Sequence, residues 1–375
     1  MIARQRDRSI ALGMFRESRR LETRAAKLDR AIVGKGKKGM RQEMGDHAKN
    51  SDRVWSIVLA KGEGERLRPF VQRWLGHPRP KQYCTFVGTR SLFQHTLDRA
   101  DRLTAAERKM TVIARSHAEE AWPQLGQRPS GMVLLQPVNR GAAAAVFLAL
   151  TYVKARDAKG TVVIYPSDHF VYPEPRFLDS IQRAVRTTEW FPDRLALLGV
   201  SPDRLELDYG WLEPGGQVDH ASNYRIQTVR AFWEKPTAAQ ADAALAAGAL
   251  WNTSVVAAKV ETLWESGWQC FPNLMPRFEC LLGAIGTSTE AKTIETIYEH
   301  MPAHDFSSEL LRLIPAQFVV IEMAGVLWSD WGTPERIAHT LRLIGRQPKF
   351  QLDCLDPPFV PFAQVQSQNK VPVGF

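Results

Sequence analysis

Residues 54–345 predict an α/β fold, with a mixed, mainly parallel sheet and helices on both of its faces. Three observations point there. Short, almost wholly apolar runs alternate with longer segments of helical pattern. The apolar runs are strand-length and unbroken, as expected for strands covered on both faces. Each is followed by glycines or charged residues, where ligands bind in such sheets, beyond the carboxyl ends of the strands.

The elements follow in order. VWSIVLA (54–60) reads as a buried strand, and SLFQHTLDRADRL (91–103) has helical periodicity. KMTVIAR (109–115) and GMVLLQP (131–137) read as the next strands, and AAAAVFLALTYVKARD (142–157) is a helix by propensity. TVVIYPSDH (161–169) is a further buried strand that ends in charge. After residue 195 the pattern changes to shorter, partly antiparallel strands in LALLGV, DYGWLEP and YRIQTVRAFWEKP. TAAQADAALAAG (237–248) is a helix closed by Gly248, and VLWSDWGTPERIAHTLRLIG (326–345) reads as strand, turn and helix. Residues 346–375 lack periodicity and read as a C-terminal tail.

The net charge of the 375-residue chain is +9, but residues 1–53 hold 15 Lys/Arg against 7 Asp/Glu, so the body is near neutral. That balance argues against dedicated nucleic-acid binding, which places its basic residues on the folded domain. Residues 1–53 read as a basic, disordered extension, with Met40 as an alternative start. No apolar run has the length of a membrane span. The four cysteines (Cys84, Cys270, Cys280, Cys354) are widely spaced without a CxxC pair, which fits a reduced cytoplasm. A homo-oligomer is left open.

The stretch LAKGEGERLRP (59–69) places two glycines directly after the first strand. Glycine-rich backbone at a strand end offers N–H groups to phosphate oxygens. It is neither a Walker loop, since no GK[ST] follows, nor a dinucleotide fingerprint, since the third glycine is missing. By itself it is as readily a turn as a site. RPKQY (79–83), VVIYPSDH, FWEKP (232–236), GALWNTSV (248–255) and WSDWGTP (328–334) then follow. In that order and spacing these motifs resemble the sugar-1-phosphate nucleotidyltransferase family, above all mannose-1-phosphate guanylyltransferases.

The resemblance implies the Rossmann-like nucleotidyltransferase fold, with a smaller sugar-binding portion after about residue 200. It implies that Asp168 and Asp330 hold Mg²⁺, and that Arg66 and Lys81 neutralise the triphosphate and departing pyrophosphate. Leu59, Ala60, Gly62, Gly64, Gln136 and Arg140 would meet the nucleotide; Glu234, Lys235 and Asn252 would meet the sugar phosphate. Singly, each has a plainer reading: Asp168 a solvated turn, Asp330 a helix cap, Asn252 a turn residue, Glu234 and Lys235 a surface pair. His169 is expected to be structural, with Trp251, Trp328 and Trp331 packed near the site.

The implied reaction is Mg²⁺-dependent transfer from GTP to mannose-1-phosphate, giving GDP-mannose and pyrophosphate. Four positions depart from the family pattern. Lys61 stands for a glycine, Glu65 for Thr or Ser, and Ser254 for the glycine of WNSG; NRGAAAAV keeps Arg140 but not the usual residues after it. Lys61 and Glu65, one extra cation and one extra anion, are expected to pair with each other. The departures keep two alternatives in view: another NTP and hexose-1-phosphate (UTP or dTTP with glucose-1-phosphate), or a non-catalytic paralogue that binds nucleotide-sugar.

Overall fold

Val54–Ala60 forms β1 and is buried along nearly its whole length. Alternate residues serve opposite faces: Val54, Val58 and Ala60 join one core cluster, Trp55 and Ile57 the other. The computed structural model describes residues 53–126, 131–219 and 224–351. After β1 come α1 (Arg68–Leu75), α2 (Leu92–Asp101), β2 (Lys109–Ala114), α3 (Ala118–Leu125), β3 (Met132–Gln136) and α4 (Gly141–Asp157). The middle of the chain gives β4 (Thr161–Pro166), β5 (Phe170–Tyr172), α5 (Glu174–Trp190), β6 (Leu195–Val200), β7 (Gly210–Asp219), β8 (Ile226–Glu234) and α6 (Ala238–Ala246). It closes with β9 (Leu250–Lys259), α7 (Val260–Cys270), α8 (Met275–Ala284), α9 (Glu290–Glu299), α10 (Phe306–Leu313), β10 (Phe318–Glu322), β11 (Leu327–Ser329) and α11 (Pro334–Leu343).

Nine strands form one sheet in the order β3-β2-β1-β4-β9-β6-β10-β8-β7, while β5 and β11 make a separate two-stranded ladder. The helix α4, buried from Ala143 to Val153, covers one face together with α7, α8, α9 and α10. The other face is covered by α2, α3 and α5. The α/β class with helices on both faces is therefore as expected.

Two expectations are corrected. The main sheet is mixed but not mainly parallel: among the described residues it holds four parallel pairings and five antiparallel ones. The cause is β9, which enters antiparallel between β4 and β6 and separates the parallel β3-β2-β1-β4 block from the rest. Residues after 200 thus extend the same sheet. Nor are the later strands shorter, since β7 has 10 residues and β8 has 9 against 7 in β1. Pro214, Gly215 and Gly216 break the sequence pattern, but the pairing passes them through register shifts.

The expected extension 1–53 lies outside the described residues except for Arg53, which pairs with Asp157. The expected tail from 346 is described to residue 351, and this part packs on the domain. Lys349 donates its N–H to the Phe86 carbonyl at 2.8 Å, and Phe350 is buried edge-on against Phe70 at 4.9 Å between ring centres. Trp74, Phe86 and Trp331 complete this aromatic cluster. Phe350→Ala is expected to destabilise the protein by about 3–5 kcal/mol in denaturant melts. A loss below about 1 kcal/mol would mean that the segment only rests on the surface.

Candidate active site

The β5–β11 ladder pairs Phe170 with Ser329 and Val171 with Trp328. Asp168 stands two residues before Phe170, and Asp330 follows Ser329. Two residues far apart in sequence therefore meet where β4 ends. Both line a pocket of about 370 Å³, together with Leu59, Lys61 and Gly62 of the glycine loop. Glu234, Asn252 and Ser254 also line it.

Lys81 joins the two acidic residues. Its ammonium is 6% exposed, lies 2.9 Å from Asp168 Oδ2 and donates to the backbone carbonyl of Asp330. Burial pushes the Asp168 pKa up, but Lys81 and His169 outweigh it and the carboxyl ends at about 2. At Asp330 burial also raises the pKa, and Lys81 and Arg336 reverse that into a net lowering.

Around Lys81 the motif RPKQY braces the glycine loop. Gln82 Nε2 donates to the Gly62 carbonyl at 2.8 Å, and the Tyr83 hydroxyl donates to the Ala60 carbonyl at 2.9 Å. Gly64 has φ +62°, and a Cβ there would stand 3.0 Å from the backbone nitrogen of Lys81. Glycine is thus required twice, for the left-handed backbone and for the close approach.

Asp330 is the centre of a second network. Its Oδ1 accepts from the Tyr209 hydroxyl at 3.0 Å and from the Gly332 N–H at 2.8 Å. Arg66 Nη2 reaches Oδ2 at 2.9 Å, and Arg336 lies 3.2 Å from Oδ1. Arg336 also binds Glu206 and Asp208, and Arg66 reaches Asp208 at 3.3 Å. A Cβ on Gly332 would come within 2.6 Å of Asp330 Oδ2 and 2.7 Å of Arg66 Nη2, so this cluster closes only around a glycine.

On the other wall, β7 pairs Gly210 with Glu234 and Trp211 with Trp251, bringing Glu234 beside the start of β9. Asn252 is a buried strand residue, not the turn residue of its plainer reading. Burial, then Asp305, raises the Glu234 pKa against the pull of Lys235.

Of the expected residues, Leu59, Gly62, Asp168, Glu234, Asn252 and Asp330 line the pocket, and Arg66 and Lys81 contact its carboxylates. Ala60 is buried below it, Gly64 packs on Lys81, and Lys235 is exposed at φ +46°. Gln136, the last residue of β3, and Arg140, just before α4, are not among the residues that line it. Arg140 donates instead to the carbonyls of Tyr298 and Glu299 at the end of α9, a cation on the negative pole of a helix. The expected Lys61–Glu65 pair does not form. Lys61 lines the pocket, where burial lowers its pKa against the pull of Asp305 and Asp168, and Glu65 is exposed. His169 is half-buried, its ring edge-on to Trp328 at 5.2 Å, and desolvation pushes its pKa down. Tyr209, Arg336, Asp208 and Asp305 were not found in the sequence. Asp208 and Tyr209 lie inside DYGWLEP and Arg336 inside VLWSDWGTPERIAHTLRLIG, stretches that read only as secondary structure.

Two outcomes are expected. The folded-state pKa of Asp168 lies below its unfolded value, so the carboxylate contributes stability above about pH 4 and loses it as pH falls toward 2. In acid titrations of unfolding, Asp168→Asn should flatten the slope in that window; an unchanged slope would contradict the Lys81–Asp168 coupling. Gly64→Ala should cost roughly 1–3 kcal/mol in melts, and no loss would mean that the loop shifts freely.

A family model described as nucleotidyl transferase matches residues 55–344. Mannose-1-phosphate guanylyltransferase of Escherichia coli is 29% identical over 204 residues, 53% of this chain and 41% of that protein. The xanthan biosynthesis protein XanB of Xanthomonas campestris is 30% identical over 206 residues, 54% of this chain and 41% of its own. These matches span about two-fifths of the curated relatives' length. Among solved structures, a Thermus thermophilus protein named mannose-1-phosphate geranyltransferase superposes with TM-score 0.64 at 24% identity, covering 76% of this chain and 79% of that one. A mannose-6-phosphate isomerase from Helicobacter pylori superposes with TM-score 0.58 at 17% identity, covering 74% and 100%. Those two likenesses concern the fold. With the family match over most of the described residues, the chain belongs to the nucleotidyl transferase family.

Proposed function

We propose that this pocket transfers a guanylyl group from GTP to mannose-1-phosphate, giving GDP-mannose and pyrophosphate. The observation that carries the reading is the meeting of Asp168 and Asp330 around buried Lys81, with the glycine loop on one side and Glu234 and Asn252 on the other. The curated relatives named mannose-1-phosphate guanylyltransferase support the choice of base and sugar.

A phosphate oxygen of the sugar phosphate attacks the α-phosphorus, forming one P–O bond as the bond to the bridging oxygen of pyrophosphate breaks. The nucleophile is already ionised, so no general base is needed; positioning and charge neutralisation do the catalysis. The loop backbone at Gly62 and Gly64 receives the phosphates. Arg66 side chain, 52% exposed, exchanges its ion pair with Asp330 for the departing pyrophosphate. Glu234 and Asn252 hold the sugar.

Asp168 and Asp330, which both line the pocket, would hold Mg²⁺, a hard cation that takes carboxylate oxygens. Among the described residues no group of three or more His, Cys, Asp or Glu forms a larger metal cage. When bound, the ion supplies positive charge to the phosphate oxygens. Arg336, Tyr209 and Gly332 keep Asp330 aimed when Arg66 leaves it.

The test is pyrophosphate release by the full chain with Mg²⁺, crossing five NTPs with mannose-1-phosphate and glucose-1-phosphate. GTP with mannose-1-phosphate should turn over, and Arg66→Ala should lower kcat/KM by about 100-fold or more. Turnover with UTP or dTTP and glucose-1-phosphate would keep the reaction and change its substrates. Silence across the panel from folded protein would overturn the reading.

A further inference from the structure

Among the described residues, three that are not glycine hold left-handed backbone: Lys235, Ser254 and Trp331. Ser254 has φ +56° and lies inside strand β9. Strands do not ordinarily contain such a residue, and glycine would adopt this backbone without strain. The backbone N–H of Ser254 donates to Asn252 Oδ1 at 3.0 Å, which orients the Asn252 carboxamide beside the pocket. Glycine would supply the same N–H. The serine side chain is therefore not needed for the turn of the chain or for holding Asn252.

Its hydroxyl makes no hydrogen bond among the described residues, although Ser254 lines the pocket with Asn252, Glu234 and Gly210. A hydroxyl both gives and accepts a hydrogen bond and rotates to suit its partner. The wall it shares with a carboxylate and a carboxamide has the composition that recognises sugar hydroxyls. We propose that Ser254 is a substrate-contacting residue that reads one hydroxyl of the hexose and helps set which hexose-1-phosphate is accepted. This rests on the sugar-phosphate reading of the pocket given above.

The experiment compares the full-length wild type with Ser254→Ala and Ser254→Gly. Alanine removes the hydroxyl and keeps the strained backbone; glycine removes both. Each should raise KM for mannose-1-phosphate by about 3- to 10-fold, the loss of one hydrogen bond. KM for GTP should stay within about 2-fold, and Ser254→Gly alone should raise Tm. In a series of monodeoxy mannose-1-phosphates, one analogue should erase the difference between wild type and Ser254→Ala. Unchanged KM for the sugar in both variants, or equal rises in both KM values, would overturn the proposal. So would a deoxy series in which no analogue erases the difference. A wild type that neither turns over nor binds any hexose-1-phosphate by calorimetry would overturn the sugar-phosphate reading and this inference with it. A wild type that turns over beside indistinguishable variants would overturn this inference alone.

Discussion

The ammonium of Lys81 holds the site together. A lysine with 6% exposure is tolerated only where its charge is paired and its donors are used, because desolvating an unpaired ammonium is prohibitive. Here the partners are the Asp168 carboxylate and the Asp330 carbonyl, which come from two segments joined by the β5–β11 ladder. The remaining geometry follows from that contact. Gly64 has no side chain because Lys81 lies against it, and the residues after Lys81 occupy the carbonyls of the glycine loop. Removing Lys81 would leave Asp168 in a site built around an absent cation.

The charges at Asp330 obey the same logic with a different consequence. Two guanidiniums, one hydroxyl and one backbone N–H surround a carboxylate that is 8% exposed. These partners are not equivalent. Arg336 side chain is 9% exposed and tied to Glu206 and Asp208 as well, whereas Arg66 is half exposed and swings from a short helical turn after the loop. A solvent-facing ion pair is worth little and is readily exchanged. That difference in exposure supports the exchange proposed for Arg66, with Arg336 as the partner that stays.

Much of this was legible in sequence where the signal is local. β1, β2 and β3 stand within a residue of their apolar runs and β4 ends three residues before its quoted stretch does, because a strand covered on both faces is apolar throughout. The helix capped by Thr237 ends just before Gly248 at φ +74°. What could not be read was long-range. Nothing within LWNTSVVAAK says that it enters antiparallel between β4 and β6, an insertion that adds to the antiparallel pairings of β7 and β8. Tyr209 reaches Asp330 across 121 residues of sequence, and Arg336 ties Asp330 to Glu206 and Asp208, 130 and 128 residues from itself. The opposite error was made at Lys61 and Glu65, where proximity in sequence suggested a pair. The glycine loop instead turns Lys61 toward the pocket and leaves Glu65 exposed. Arg140 matched a motif position, but the carbonyls at the end of α9 take its guanidinium.

The strained backbone gathers at the same place. Lys235 directly follows Glu234, Ser254 stands two residues after Asn252, and Trp331 directly follows Asp330. Each left-handed residue therefore stands within two positions of a polar group that lines the pocket. At Trp331 the cost is offset by packing, since the ring is buried and stacks on Phe170 at 4.6 Å. At Lys235 and Ser254 no comparable ring contact exists among the described residues, and both side chains remain partly or fully exposed. At Ser254, which lines the pocket, strain without packing to offset it supports the role proposed above.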